Sequence, residues 1–177
     1  MIKLNKQALF HRTKSEYAYA YDKETLHILL RTAKNDFESV QLLWGDPYEW
    51  QDGKWICHHT MMTKRYQTEL FDFYFVAIKP PLLRVKYSFL MKDEKHYYHM
   101  GSRKTGVIQL SDTKNLYDMY HNYFNFPFVN YEDVLDSPSW VKDTVWYQIF
   151  PDRFATTKTD LTLPWGKLPV SNDEIYL

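Results

Sequence analysis

From about residue 16 to residue 110 the chain alternates between apolar and polar or smaller residues. Leu26, Ile28 and Leu30 are interleaved with His27, Leu29 and Arg31, and Val40, Leu42 and Trp44 share one side. Phe71, Phe73 and Phe75 share another, Tyr17, Tyr19 and Tyr21 alternate with smaller residues, and Leu83, Val85, Tyr87, Phe89 and Met91 are separated by Arg84, Lys86, Ser88 and Leu90. Successive side chains on a strand point to opposite faces, so a period of two means one buried and one solvated face, the mark of antiparallel strands. Turn sequences punctuate the runs at Lys34-Asn35-Asp36, Gly45-Asp46-Pro47, Gln51-Asp52-Gly53, Lys79-Pro80-Pro81, Lys92-Asp93-Glu94 and Gly101. The expected fold is mainly β, an antiparallel β-sandwich of roughly seven to eight strands.

The pattern changes after about residue 110. Ser111-Asp112-Thr113-Lys114 could cap a short helix over 113–120. Tyr123 to Phe128 suits an extended segment laid over the sandwich, and Val129 to Ser139 is acidic, contains Pro138 and reads as a linker with one helical turn. Thr144-Val145-Trp146-Tyr147-Gln148-Ile149-Phe150, stopped by Pro151, is an apolar run of the kind buried in a parallel sheet or barrel. No partner strand of that kind follows, so the chain reads as a sandwich over 1–122, a linker over 123–140, and the truncated beginning of another domain over 141–177.

Composition narrows the function. Lys plus Arg and Asp plus Glu both total 22, and without a basic excess nucleic-acid binding is not expected. Only 5 glycines occur, with no phosphate-cradling glycine motif. Cys57 is the single cysteine, which rules out an intrachain disulfide and a multi-cysteine metal cluster. The N-terminal residues lack the apolar core of a secretory signal and no window reaches 18 uninterrupted apolar residues, so a cytoplasmic protein without a membrane span is expected. The aromatic share, 18%, exceeds what a core requires and turns attention to aromatic surfaces.

The most specific stretch runs from Val141 to Phe154, with Val145-Trp146-Tyr147-Gln148-Ile149-Phe150-Pro151-Asp152-Arg153-Phe154 at its centre. It resembles the first barrel strand of the α-amylase superfamily of glycoside hydrolases, in particular the cyclomaltodextrinase, neopullulanase and maltogenic amylase group. Phe126-Pro127-Phe128-Val129-Asn130 and Pro138-Ser139-Trp140 look like that group's interdomain linker, and Leu163-Pro164-Trp165-Gly166 also fits. Upstream, Tyr17-Ala18-Tyr19-Ala20-Tyr21-Asp22, Gly45-Asp46-Pro47-Tyr48, Thr68-Glu69-Leu70-Phe71-Asp72 and Ile78-Lys79-Pro80-Pro81 look like its N-terminal starch-binding type module. The resemblance implies an immunoglobulin-like sandwich followed by the opening of a (β/α)8 barrel, a fold of about 250 residues.

The same resemblance implies that the catalytic carboxylates lie on later barrel strands, so no catalytic residue is expected in this chain. Retaining glycosidases need two carboxyls about 5 Å apart across the scissile bond, whereas Asp93-Glu94, Glu132-Asp133 and Asp173-Glu174 sit in turn or linker sequence. Asp152 and Arg153 read as an ion pair fixing a strand end. His58 and His59, adjacent in a strand, would point to opposite faces, so no metal site is expected there. Where some members of the group hold calcium, this sequence has Thr156-Thr157-Lys158. A lysine cannot ligate calcium, which argues against that ion, and no cofactor is expected.

Candidate substrate-binding residues are Asp46, Tyr48 and Trp50, in Trp44-Gly45-Asp46-Pro47-Tyr48-Glu49-Trp50. Sugar rings stack their C–H faces on aromatic planes while neighbouring polar groups bind the hydroxyls. The resemblance places this loop at a subunit interface and substrate rim, implying a maltooligosaccharide or cyclodextrin partner and self-association through the N-terminal domain. The alternative is an immunoglobulin-like domain that binds protein rather than sugar, since sandwiches host both roles.

Overall fold

The computed structural model describes residues 4–109, 122–129, 134, 137–148, 162–163 and 166–167. It divides into two compact units, 1–136 and 137–177. The expected helix over 113–120, Asp152-Arg153 and Thr156-Thr157-Lys158 lie outside the described residues.

The first unit is a sandwich of two antiparallel sheets. Strands β1 (Ala18–Ala20), β2 (Leu26–Ala33), β7 (Thr63–Gln67) and β8 (Phe71–Ile78) form the first sheet in the order β1-β2-β8-β7. The second runs β11 (Thr105–Ile108), β10 (Tyr97–Met100), β9 (Val85–Lys92), β3 (Ser39–Gly45), β6 (His58–Met61), with β12 (Phe124–Phe126) added on β9. A small hairpin, β4 (Trp50–Gln51) with β5 (Lys54–Trp55), stands apart from both. Strands outnumber the sequence expectation partly because 58–67 changes sheets: Met62, buried, donates its N–H to Val40 O at 2.9 Å while β6 pairs with β3 and β7 with β8. The segment expected to lie over the sandwich is itself β12, paired Phe124↔Tyr87 to Phe126↔Val85.

The core forms where the inward sides of the sheets meet. Leu26, Ile28 and Leu30 of β2 are fully buried, as their alternation predicts, against Val40, Leu42, Val85, Tyr87, Phe89 and Met91. Two other alternations point the opposite way. On β8 the inward side is Asp72, Tyr74, Val76 and Ile78, leaving Phe71, Phe73 and Phe75 on the outer side. On β1, Ala18 enters the core while Tyr19 is exposed. Periodicity assigns residues to a common side but does not say which side the partner sheet covers.

Strand β9 is buried along almost its whole length on both sides. Leu90 packs with Leu43, Cys57, Tyr97 and Ile108 in a second, smaller cluster on its outer face. Lys86 and Ser88, which alternation assigns to solvent, are also covered.

In the second unit a 3₁₀ turn spans Ser139–Asp143, and Thr144 Oγ1 donates to Trp140 O at 2.7 Å. The run read as a buried-type strand has no strand partner among the described residues. Thr144–Gln148 form no strand, and Val145, Trp146 and Tyr147 are exposed, while 149–150 lie outside the described residues. A strand of that kind pairs within a sheet covered on both faces, and no such sheet lies beside it among the described residues of this unit. Farther on, β13 (Thr162–Leu163) and β14 (Gly166–Lys167) pair as a short hairpin.

Candidate functional site

Strand β3 ends at Gly45, where the chain turns sharply. A Cβ on Gly45 would lie 2.3 Å from the Ile56 carbonyl oxygen and 3.0 Å from the Trp55 ring, so only glycine permits the returning hairpin to pass so close. Asp46 then accepts the Tyr48 N–H through Oδ1 at 2.7 Å, an aspartate-capped turn. Its backbone carbonyl accepts both the Trp55 indole N–H at 2.8 Å and the Glu49 N–H at 3.3 Å. The hairpin closes through Asp52 and Gly53, both at positive φ (52° and 73°), as an Asp-Gly turn between paired strands requires.

Three residues singled out from the sequence thus take different positions. Asp46 is buried, and its Oδ2 accepts a hydrogen bond from Arg84 Nε at 2.7 Å. Tyr48 is 76% exposed, with the Arg84 guanidinium 4.9 Å from its ring centroid. Trp50 is half-buried in β4, donates its indole N–H to Pro47 O at 3.1 Å, and turns its ring toward Lys86.

Asp46 and Tyr48 border a groove of about 430 Å³. Trp44 and His58 contribute from β3 and β6, their rings 4.8 Å apart, and Trp44 donates its indole N–H to Thr60 Oγ1. The far side is Pro80, Pro81, Leu82 and Arg84. Leu83 sits at φ 56° and donates its N–H to Pro80 O, and this tight turn delivers Arg84 to Asp46. Trp50 does not border the groove. An exposed tyrosine plane, a fixed guanidinium and an open carboxylate at Glu49 provide apolar stacking with donors and acceptors beside it, the chemistry of saccharide recognition.

Behind the turn, Lys86 Nζ lies 4.1 Å from the Trp55 ring centroid, 4.6 Å from Tyr123 and 4.8 Å from Trp50. Three aromatic faces around one buried ammonium stabilise it by cation–π attraction. No carboxylate pairs with it among the described residues. Burial therefore holds its pKa down, to about 8. Burial also pushes the half-buried Cys57 thiol up to about 12, which keeps it protonated and unreactive. His58 and His59 do diverge: His58 meets Trp44, while His59 Nδ1 lies 3.4 Å from Gln41 Oε1. No group of three His, Cys, Asp or Glu residues among the described residues is arranged to hold a metal ion.

Comparison with known proteins decides the family. The family model described as alpha amylase, N-terminal ig-like domain, matches residues 4–130. The chain belongs to this family. The chain is 44% identical over 171 residues to the intracellular maltogenic amylase of Bacillus subtilis strain 168, covering 94% of this chain and 28% of that protein. It is 41% identical over 175 residues to a cyclomaltodextrinase of Geobacillus thermopakistaniensis, covering 92% and 27%. A solved cyclomaltodextrinase structure superposes with a TM-score of 0.66 at 36% identity, over 91% of this chain and 27% of that one. The chain thus corresponds to the N-terminal domain of maltogenic amylase and cyclomaltodextrinase family hydrolases, and spans little more than a quarter of those relatives' length.

Arg84 and Lys86 are the residues of this α-amylase N-terminal domain that sequence reasoning missed. Both stand at polar positions of an alternating strand, where solvent exposure is the ordinary inference. The one available signal was the Pro80-Pro81 turn just upstream, which marks a change of chain direction but not its target. Among the described residues no helix is long and apolar enough to cross a membrane.

Proposed function

We propose that this chain is the carbohydrate-contacting and self-associating N-terminal region of a cytoplasmic hydrolase acting on α-1,4-glucosidic bonds of cyclodextrins, pullulan or starch. The observation that carries the reading is Tyr48, 76% exposed beside Arg84 on a turn pinned by buried Asp46, within an α-amylase N-terminal domain. Tyr48 offers the stacking plane and Arg84 a hydroxyl donor. Asp46 holds the turn and Trp50 braces it from the hairpin, so of the three predicted residues Tyr48 is the one that offers its side chain to the ligand. The relatives' names, maltogenic amylase and cyclomaltodextrinase, support the substrate class, and the word intracellular in one of them supports the location.

The region contributes binding rather than bond cleavage. Double displacement needs two carboxyls about 5 Å apart, and the Asp46 carboxylate is already committed to Arg84 and the Tyr48 N–H. One stacked ring contributes about 0.5–1.5 kcal/mol, while association costs at least about 4 kcal/mol, so affinity of the isolated region is millimolar or weaker. Maltoheptaose titration followed by amide shifts tests the reading. Saturable shifts at Tyr48 and Arg84, lost in Tyr48→Ala, are expected; identical binding by that variant would refute the role of the rim. Incubation with β-cyclodextrin is expected to release no reducing sugar.

A further inference from the structure

The outward side of the first sheet is aromatic where a sandwich normally presents charge and hydroxyls to water. Strand β2 contributes His27, Leu29 and Arg31 to it and β8 contributes Phe71, Phe73 and Phe75, with Leu29 opposite Phe75 and Arg31 opposite Phe73. Rings and guanidinium groups are layered over this surface. Arg65 lies 4.5 Å over Phe75, Arg31 lies 4.4 Å over Phe71, Tyr66 stacks on Phe73 at 4.2 Å and Tyr21 stacks on His27 at 4.2 Å.

Within it lies a depression of about 290 Å³, bordered by Glu16, Tyr19, His27, Arg65, Tyr66 and Phe75. Tyr19 and Tyr66 are each about half exposed, so ring surface is open to a ligand. Tyr19 Oη and His27 Nδ1 share a hydrogen bond at 3.1 Å. Burial first and the Arg65 charge second lower the His27 pKa, so at neutral pH its ring is uncharged and carries one donor and one acceptor nitrogen. The rim charges, Glu16 and Arg65, are of opposite sign, which selects neither an anion nor a cation.

We propose that this depression is a second carbohydrate-contact site, on the sheet opposite the Tyr48 groove, taking one or two glucose units of a neutral α-glucan. Apolar ring faces with a carboxylate, a guanidinium and an imidazole around them match a pyranose, which is apolar above and below and hydroxylated at its edge. The site rests on the reading of the chain as a glucan-binding region.

The test is titration of the 177-residue chain with maltoheptaose, following amide shifts in the wild type, Tyr66→Ala, Arg65→Gln and Tyr48→Ala. Two sets of saturable shifts are expected, one around His27, Leu29 and Phe75 and one around Tyr48 and Arg84. Tyr66→Ala should weaken the first set about tenfold and leave the second unchanged, Tyr48→Ala should do the reverse, and Arg65→Gln, a change at an exposed side chain, covers the case in which Tyr66→Ala does not fold. Shifts confined to the Tyr48 set would overturn this inference and leave the proposed function standing. No shifts at either set would overturn both. Shifts at β2 and β8 that depend on protein concentration and not on sugar would show that a second copy covers the face, and would also overturn it.

Discussion

Arg84 donates from Nε to Asp46 Oδ2 at 2.7 Å across 38 positions of sequence, and the same guanidinium lies against the exposed Tyr48 ring. One contact thereby ties the β8–β9 connection to the β3–β4 turn and sets the plane of the groove's tyrosine. Hydrogen bonds to charged groups contribute about 1.5–3 kcal/mol, and most when one partner is buried, as Asp46 is. Asp46→Ala is expected to lower unfolding free energy by about 2 kcal/mol in urea titration, and Arg84→Ala by a comparable amount, because it strands the buried carboxylate without its cation. A double-mutant cycle should return a coupling of about 1 kcal/mol or more; strict additivity would mean the pair holds nothing together.

Gly45→Ala tests the close approach of the hairpin. The added Cβ meets a backbone carbonyl, which cannot rotate away as a side chain would. Overpacking of this kind costs about 1–3 kcal/mol. The variant should lose that stability and show shifted Trp50 and Trp55 indole resonances. Wild-type stability would mean the hairpin is free to move off β3.

Lys86 makes stability depend on alkaline pH. Its folded pKa, about 8, lies below the ordinary 10.5, so folding with the amine protonated carries a cost that is full below about pH 8. That cost is relieved as pH rises from 8 toward 10.5, where the unfolded chain still holds the proton. Comparing wild type with Lys86→Met in urea at pH 7, 8, 9 and 10 isolates the effect from other titrations. The wild type should gain on the variant step by step over that window, whereas a constant difference would show that the ammonium is not penalised.

Asp72 governs the acid side. It is fully buried, with Lys64 Nζ at 2.6 Å, the Asn35 N–H at 2.9 Å and the Gln67 amide as partners. Burial pushes its pKa up, but the Lys64, Gln67 and Asn35 hydrogen bonds outweigh it and hold the carboxyl below its ordinary 3.8. Its stabilisation is therefore present above about pH 4 and lost as pH falls through the lower folded value. Asp72→Asn should cost about 2–3 kcal/mol at pH 7, below the roughly 3–5 kcal/mol of fully buried pairs because Lys64 is partly exposed. The variant should also lose part of the acid sensitivity below pH 4; an unchanged acid limb would assign it to other carboxylates.

The sequence by itself determined the central strands β2, β3, β8 and β9 and the turns that break them, but not the sheet switch over 58–67. Alternation in β2 and β9 and the Asp52-Gly53 turn are local properties, set by the backbone's period of two and by the few residues that accept positive φ. Local chemistry also put Asp46 at the turn and Tyr48 in the open, and the motifs carried the family. What only the tertiary structure decided is which side of each strand is covered and what crosses the gaps between strands. Phe71, Phe73 and Phe75 face outward because the opposing sheet packs on Tyr74, Val76 and Ile78. Lys86 is buried because a hairpin more than thirty positions upstream and Tyr123 far downstream close over a strand face that alternation leaves to solvent. Periodicity is written along one strand, whereas burial depends on the layer laid against it, and that layer comes from distant parts of the chain.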